Sequence, residues 1–202
     1  MDEPIFLYSF RRCPFAMRVR IALHEKEIAF KVVEEDLKNF SSRLISLHPE
    51  AKVPLFVQGQ RVIYESAIIT EYVDDLPSTK KKLMPEDPAE RAEVRLWTYW
   101  CNYHFKPAID RFKYGTARFA EQECQGSEEK VISHLEKMES RLSQYPWLVG
   151  KNFTLAEVHL FPFIRQLSRI QPSPSFLERF PHTQNWRDKI GARETVIRAL
   201  ET

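Results

Sequence analysis

The chain has 202 residues, 43% of them hydrophobic and 29% charged, which is enough apolar side chain to offset chain entropy and excludes a disordered segment. Five glycines against 13 prolines exclude collagen-like and Gly-rich repeat architectures, and the length admits one large domain or two small ones. The formal net charge is +2, and the densest basic run, Lys80-Lys81-Lys82, sits in a Pro-flanked polar stretch that reads as a solvated linker, so no nucleic-acid partner is expected. Cys13, Cys101 and Cys124 are odd in number and widely spaced, which excludes a disulfide scaffold and points to a reducing compartment. The N-terminus lacks a basic start and apolar core, and nowhere do about 18 apolar residues run together. The expectation is a cytoplasmic chain with no membrane partner.

Short β-rich runs alternate with helical stretches as far as residue 77. Ile5-Phe6-Leu7-Tyr8 predicts a strand, Ala16 to Glu25 a helix, Phe30-Lys31-Val32-Val33 a second strand, and the stretch around Leu44 to Leu47 a short helix. Pro54-Leu55-Phe56-Val57 and Arg61-Val62-Ile63-Tyr64, joined by Gln58-Gly59-Gln60, predict an antiparallel hairpin, and Ser66 to Leu76 returns to helix. The order βαβ-α-ββ-α predicts an α/β thioredoxin-like domain over residues 1–77, with helices on both faces of a four-stranded mixed sheet.

Residues 78–87 are polar and Pro-bearing and read as a linker, after which residues 88–202 carry no strand pattern and predict an all-helical domain. Asp87-Pro88-Ala89-Glu90 combines a capping aspartate, a first-turn proline and a glutamate at the third position, and Val94, Trp97, Cys101 and Phe105 follow at the spacing of one long helix. Ser127 to Leu142 predicts a second helix, with Val131, Leu135, Met138 and Leu142 on one face. Thr154-Leu155-Ala156-Glu157 is a capping box opening the apolar helix Val158 to Leu167, where Pro162 predicts a bend. A short helix around Phe176 and another from Trp186 to Leu200 complete the domain.

Cys13 is the first candidate for chemistry. It follows the first strand and precedes Pro14, a residue favoured in the first helical turn, so its sulfur is placed where free backbone N–H groups and the positive helix end converge, with Arg11 and Arg12 beside it. Such surroundings lower a cysteine pKa from about 8.5 to between roughly 3.5 and 7.5, and the thiolate is the nucleophile. The competing reading is an inert cysteine packed under the helix. Ala16 stands where a CxxC pair would carry its second thiol, so a mixed disulfide on Cys13 needs an external thiol to release it, and glutathione is the abundant cytosolic choice. Val53-Pro54 precedes a strand and is either trans, at a first strand position, or cis, with the Val53 backbone open to a peptide-like ligand. Glu65-Ser66 begins a helix, where the serine and free N–H groups suit a ligand carboxylate and the glutamate an ammonium; an ordinary cap beside a solvated acid is the competing reading.

Together CPFAMRVRIAL, KVPLF and YESAIITEYVDD resemble the three glutathione-site blocks of the cytosolic glutathione transferase superfamily, most nearly its cysteine-type members, the omega class and the dehydroascorbate reductases. LMPEDPAERA, FTLAEVHLFP and NWRDKIGAR are similar to that family's helical domain, so the resemblance spans nearly the whole chain and implies the glutathione transferase fold. It implies that Cys13 forms a mixed disulfide with glutathione, with Phe15 beside it. It also implies that Val53, before cis-Pro54, meets the cysteinyl unit and that Glu65 with Ser66 grips the γ-glutamyl end. Where omega-class members often place a lysine toward the glycyl carboxylate, this chain has Phe40, which leaves Lys38 or Lys52 for that role. A homodimer is implied by the resemblance alone.

Trp97, Trp100, Tyr103 and His104 share the long helix that, by resemblance, lines an acceptor pocket; most of such aromatics are core residues and one or two line the pocket. The histidines show no metal-ligand spacing, and Cys101 with His104 supplies only two ligands, so no metal is expected. The expected function is a glutathione-dependent thiol transferase or reductase acting on a disulfide or a small electrophilic acceptor such as dehydroascorbate. Two alternatives stay open: a non-catalytic interaction protein on the same fold, resembling the stringent starvation proteins, and conjugation of glutathione to electrophiles with help from Tyr8.

Overall fold

The computed structural model describes residues 3–171 and 174–202; Met1 and Asp2, which open the first predicted domain, and Pro172 and Ser173 lie outside them. Four strands form one sheet in the order β2-β1-β3-β4, from β1 (Ile5–Ser9), β2 (Lys31–Glu34), β3 (Leu55–Gln58) and β4 (Arg61–Tyr64). β1 pairs parallel to β2, with Leu7 opposite Val32, and antiparallel to β3, with Leu7 opposite Phe56. β3 turns back into β4 through Gly59 and Gln60; Gly59 sits at φ +58°, in the left-handed region that favours glycine.

Alternation along β1 divides the sheet's two faces. Ile5, Leu7 and Ser9 are buried on one side, while Phe6 and Tyr8 turn to the other and pack with Phe40 and Leu47 against Leu44, Leu55 and Val57. Leu44 comes from the short helix α2 (Ser42–Leu47), capped by the Ser41 hydroxyl, which accepts from the Leu44 N–H at 3.2 Å. α1 (Pro14–Glu25) packs against α3 (Ser66–Asp75), and α1 buries nine of its twelve residues, among them Arg18 and Arg20.

Two compact units divide the chain, and the boundary differs from the sequence expectation at both ends. The first unit runs to Met84 and takes back Ala192–Thr202; the second is Pro85–Gly191. Asp74 is the reason the expected linker joins the first unit: its buried carboxylate accepts from the N–H groups of Leu83 and Met84 at 2.8 and 2.9 Å and pairs with Lys26 at 3.1 Å. Lys26 in turn donates to the carbonyls of Lys80 and Lys81, so the backbone of the basic run is anchored. The helix expected from Trp186 to Leu200 is two helices, because Gly191 ends one and Arg193 adopts extended backbone before the next. The later one, α10 (Glu194–Glu201), packs on α1; Arg193 makes a bidentate pair with Glu25 at 2.7 and 2.8 Å, and Val196 and Ala199 are buried.

The second unit is all helical. α4 (Pro88–Trp100) starts at the Asp87 cap, whose carboxylate accepts from the Glu90 N–H at 2.9 Å, and runs through a π-helical turn, Cys101–Phe105, into α5 (Lys106–Tyr114). Pro107 has no N–H to donate to the preceding turn, and the chain there widens so that the Lys106 N–H reaches the Cys101 carbonyl five residues back. The short α6 (Glu121–Cys124) has no sequence signal that stands out. α7 (Ser127–Leu142) buries the expected face, Val131, Leu135, Met138 and Leu142. α8 (Leu155–Leu167) is mostly apolar and buried almost throughout, which makes it the centre of the unit, and it continues through Pro162. Its capping box forms as expected, with the Glu157 carboxylate accepting from the N–H groups of Thr154 and Leu148. The remaining elements of this unit are two short 3₁₀ turns, Gly115–Ala117 and Ser175–Arg179, the second at the short helix expected around Phe176, and α9 (Pro181–Gly191).

Candidate functional site

Cys13 occupies the N-cap of α1, in extended backbone at φ −72° and ψ 118°, with Pro14 at the first helical position. A turn closed by the Cys13 N–H on the Phe10 carbonyl at 2.9 Å leads into it, and the Arg11 N–H is held by the Glu34 carboxylate at 2.8 Å. The thiol is half-buried and its Sγ lies 3.9 Å from the carbonyl oxygen of Val53, so the two sequence blocks, 40 residues apart, meet at one point. The Val53-Pro54 peptide bond is cis, which settles the alternative the sequence left open.

Glu65 and Ser66 behave differently from each other. Glu65 is exposed at the N-cap of α3 with φ +69° and ψ 111°, a conformation that costs a non-glycine residue of order 1–3 kcal/mol and is held only where surroundings over-determine it. Ser66 is buried, and its hydroxyl accepts from Nη1 of Arg18 at 3.2 Å. Arg18 also lies over the ring of Phe15, 5.0 Å from its centroid, so α1 presents Cys13 and Phe15 at the start of the helix and steadies α3 from its second turn. Arg18 and Arg20 are the buried charged residues beside the candidate site that motif reading passes over, and the available signal is two arginines inside an otherwise apolar helical run.

The two candidate lysines also separate. Lys52 is exposed and hydrogen-bonded to Glu50, which holds its pKa above the ordinary value and depresses that of Glu50. Lys38 is exposed, and among the described residues its ammonium has no ion-pair partner, while Phe40 is packed on the core beside Leu44. Tyr8 packs against the same core.

In the second unit the four aromatic candidates divide in two. Trp97 and Trp100 are core residues rather than pocket lining: they meet edge to face at 5.4 Å, Trp100 stacks on Phe105 at 5.2 Å, and the ammonium of Lys137 lies over both indoles. Tyr103, 66% exposed, and His104 line a cleft of about 400 Å³ with Pro107, Ala108, Arg111 and His134. Cys101 is buried with its Sγ 3.9 Å from the His159 carbonyl. Among the described residues no group of three or more His, Cys, Asp or Glu is placed to hold a metal ion, and no helix is long and apolar enough to cross a membrane.

Comparison with known proteins agrees with this geometry in both units. The family model for the glutathione S-transferase N-terminal domain matches residues 3–75, and that for the C-terminal domain matches residues 96–194. Glutathione S-transferase U19 of Arabidopsis thaliana is 30% identical over 203 residues, covering 99% of this chain and 91% of the relative. Glutathione S-transferase 3 of Glycine max is 30% identical over the same span, with the same coverage. Among solved structures, the beta-etherase of Sphingobium sp. strain SYK-6 superposes with a TM-score of 0.87 at 25% identity, covering 98% of each chain.

Proposed function

Because this chain belongs to the glutathione S-transferase family, we propose that it binds glutathione in its first unit and uses Cys13 as the nucleophile of a thiol transferase or reductase, in the manner of the cysteine-type members. The observation that carries this reading is the placement of Cys13 at the positive end of a twelve-residue helix, with its sulfur 3.9 Å from the Val53 carbonyl. Glutathione laid across that point has its cysteinyl backbone beside Val53, its γ-glutamyl end toward Glu65 and Ser66, and its glycyl carboxylate toward Lys38, whose ammonium is uncommitted where that of Lys52 is paired.

In the reaction, the Cys13 thiolate attacks the glutathione sulfur of a mixed disulfide, the acceptor leaves as its thiolate and takes up a proton, and Cys13 carries the glutathionyl group. A second glutathione thiolate attacks that bond, forms glutathione disulfide and returns Cys13 as thiolate. For an acceptor such as dehydroascorbate, two glutathiones are oxidised to one disulfide while the acceptor gains two electrons and two protons. Tyr103 and His104, exposed on a cleft that also carries Arg111, Glu123 and Lys130, are the candidates to contact a polar acceptor. A free thiol of this kind suits a reducing, cytoplasmic setting. The exposed apolar residues Leu96 and Tyr99 on α4 support a homodimer.

A second reading is favoured by the names of the relatives, which are glutathione S-transferases: conjugation of glutathione to an electrophile, with the group at position 13 stabilising the thiolate of glutathione itself. Cys13→Ser separates the two. Loss of disulfide-reductase activity with conjugation retained or gained supports conjugation as a parallel capacity of the site, and reductase activity that survives the substitution undiminished overturns the Cys13 mechanism. Tyr8 is a poor candidate for the conjugating role because its ring is committed to the sheet core.

A further inference from the structure

Arg20 sits in the middle of α1 with no solvent exposure, and every group its guanidinium donates to is neutral. Nε reaches the Ala199 carbonyl at 2.9 Å, Nη1 the Ser9 hydroxyl at 2.7 Å and Nη2 the Arg11 carbonyl at 2.7 Å. A cation removed from water and given no contacting counter-ion is among the most unfavourable arrangements in a protein interior. Packing alone would fill such a helix position with leucine or methionine, so the charge calls for another account.

The three acceptors supply it. Ser9 ends β1, Arg11 lies two residues before Cys13 in the turn that delivers it, and Ala199 belongs to α10, so one planar fork ties strand, turn and last helix together. The charged and titratable groups that act on the guanidinium are Cys13, Glu34 and Arg11; burial pushes its pKa down, Cys13 and Glu34 draw it back up, and Arg11 opposes them. His24, one turn further along α1, also feels it, together with Arg198 of α10.

We propose that Arg20 is a positioning residue for the Cys13 thiol: it fixes the segment from Ser9 to Cys13 in the shape that sets Sγ against Val53, and it supplies the buried positive charge that a thiolate at Cys13 neutralises. The inference rests on reading Cys13 as the reactive thiol and extends that site to the far end of the chain, since α10 contributes one of the three acceptors.

The test uses the full chain and follows alkylation of Cys13 by iodoacetamide against pH, with peptide mapping to keep Cys101 and Cys124 separate. Arg20→Met is expected to raise the midpoint of the Cys13 profile by about one pH unit, which is a tenfold loss of thiolate on the acid side, while the Cys124 profile stays in place. Arg20→Lys keeps the charge and loses the fork, so its midpoint is expected between wild type and Arg20→Met. Ser9→Ala removes a single acceptor and is expected to shift the midpoint less, in the same direction. A purely structural role lowers the melting temperature and leaves the midpoint alone, so a folded Arg20→Met protein with the wild-type midpoint overturns the proposal. If Arg20→Met fails to fold, wild-type midpoints in both Arg20→Lys and Ser9→Ala overturn it instead. Alkylation needs no glutathione, so a wild-type protein that ignores glutathione disulfide refutes the functional reading without touching this result.

Discussion

Nη1 of Arg18 donates to the hydroxyl of Ser66 across 3.2 Å, joining α1 to the first residue of α3 over a separation of 48 positions. With one lone pair engaged by Arg18, the Ser66 hydroxyl still has its proton to offer, and a ligand carboxylate at a helix N-terminus is the acceptor that the helix dipole also favours. Ser66→Ala is therefore expected to weaken glutathione binding about tenfold, the scale of one charge-assisted hydrogen bond, and to lower stability by about 1 kcal/mol. Calorimetric titration with glutathione and urea unfolding measure the two effects separately.

Glu65 carries an opposed pair of effects on stability and binding. Glu65→Gly removes the carboxylate and frees the backbone at φ +69°, so the variant is expected to melt at a higher temperature, by roughly 1 kcal/mol of stability, while binding glutathione more weakly. Glu65→Ala is expected to lose binding without the gain in stability. Melting curves and titrations on the two variants decide it; a Glu65→Gly protein that is no more stable than Glu65→Ala speaks against strain at this position.

Asp74 is the strongest structural commitment of the first unit outside the site. Asp74→Ala leaves the N–H groups of Leu83 and Met84 without their acceptor and the buried ammonium of Lys26 with two carbonyls but no counter-ion, and removing one partner of a buried pair typically costs about 3–5 kcal/mol. Urea unfolding should show a loss on that scale, and a loss below about 1 kcal/mol would mean that water replaces the carboxylate.

Three histidines make the fold lose stability as pH falls, against the opposite pull of the buried Glu157, whose carboxyl pKa is pushed up by burial. His24, His48 and His134 are each held below the ordinary histidine value, with burial the largest cause in every case. In the window from about 6.5 down to the lowered native values, the unfolded chain takes up more protons than the folded one, so stability is full above that window and declines as pH falls through it. Urea midpoints at pH 7.5 and at roughly pH 5.5 are expected to differ in that direction, and His24→Asn is expected to shrink the difference.

Much of this arrangement was readable from residue patterns because the signals are local. The capping residues Asp87 and Thr154, the Gly59 turn and the apolar face of α7 each need only a few neighbouring positions to declare themselves. The blocks around Cys13, Val53 and Glu65 are likewise local patterns, yet the 3.9 Å approach of Cys13 to Val53 is a product of sheet topology that no local pattern contains. Arg18 and Arg20 were passed over because an arginine in a helix ordinarily faces water, and their burial is decided by distant partners, Ser66 and Ala199. The return of α10 to the first unit was hidden likewise, since Glu25 and Arg193 lie 168 residues apart. The aromatic run on α4 is legible only in part: helical spacing marks Trp97, Trp100, Tyr103 and His104 as a mixture of core and exposed positions, but it does not say which of them meet α7 and which meet solvent.

The measurement that bears most directly on the central claim is intact-mass and peptide-mapping mass spectrometry after the reduced, folded protein is incubated with glutathione disulfide at neutral pH. One glutathione adduct on Cys13, absent from Cys101 and Cys124 and removed by fresh glutathione, is the predicted result. A Cys13 that stays unmodified while the fold is intact would contradict the cysteine mechanism.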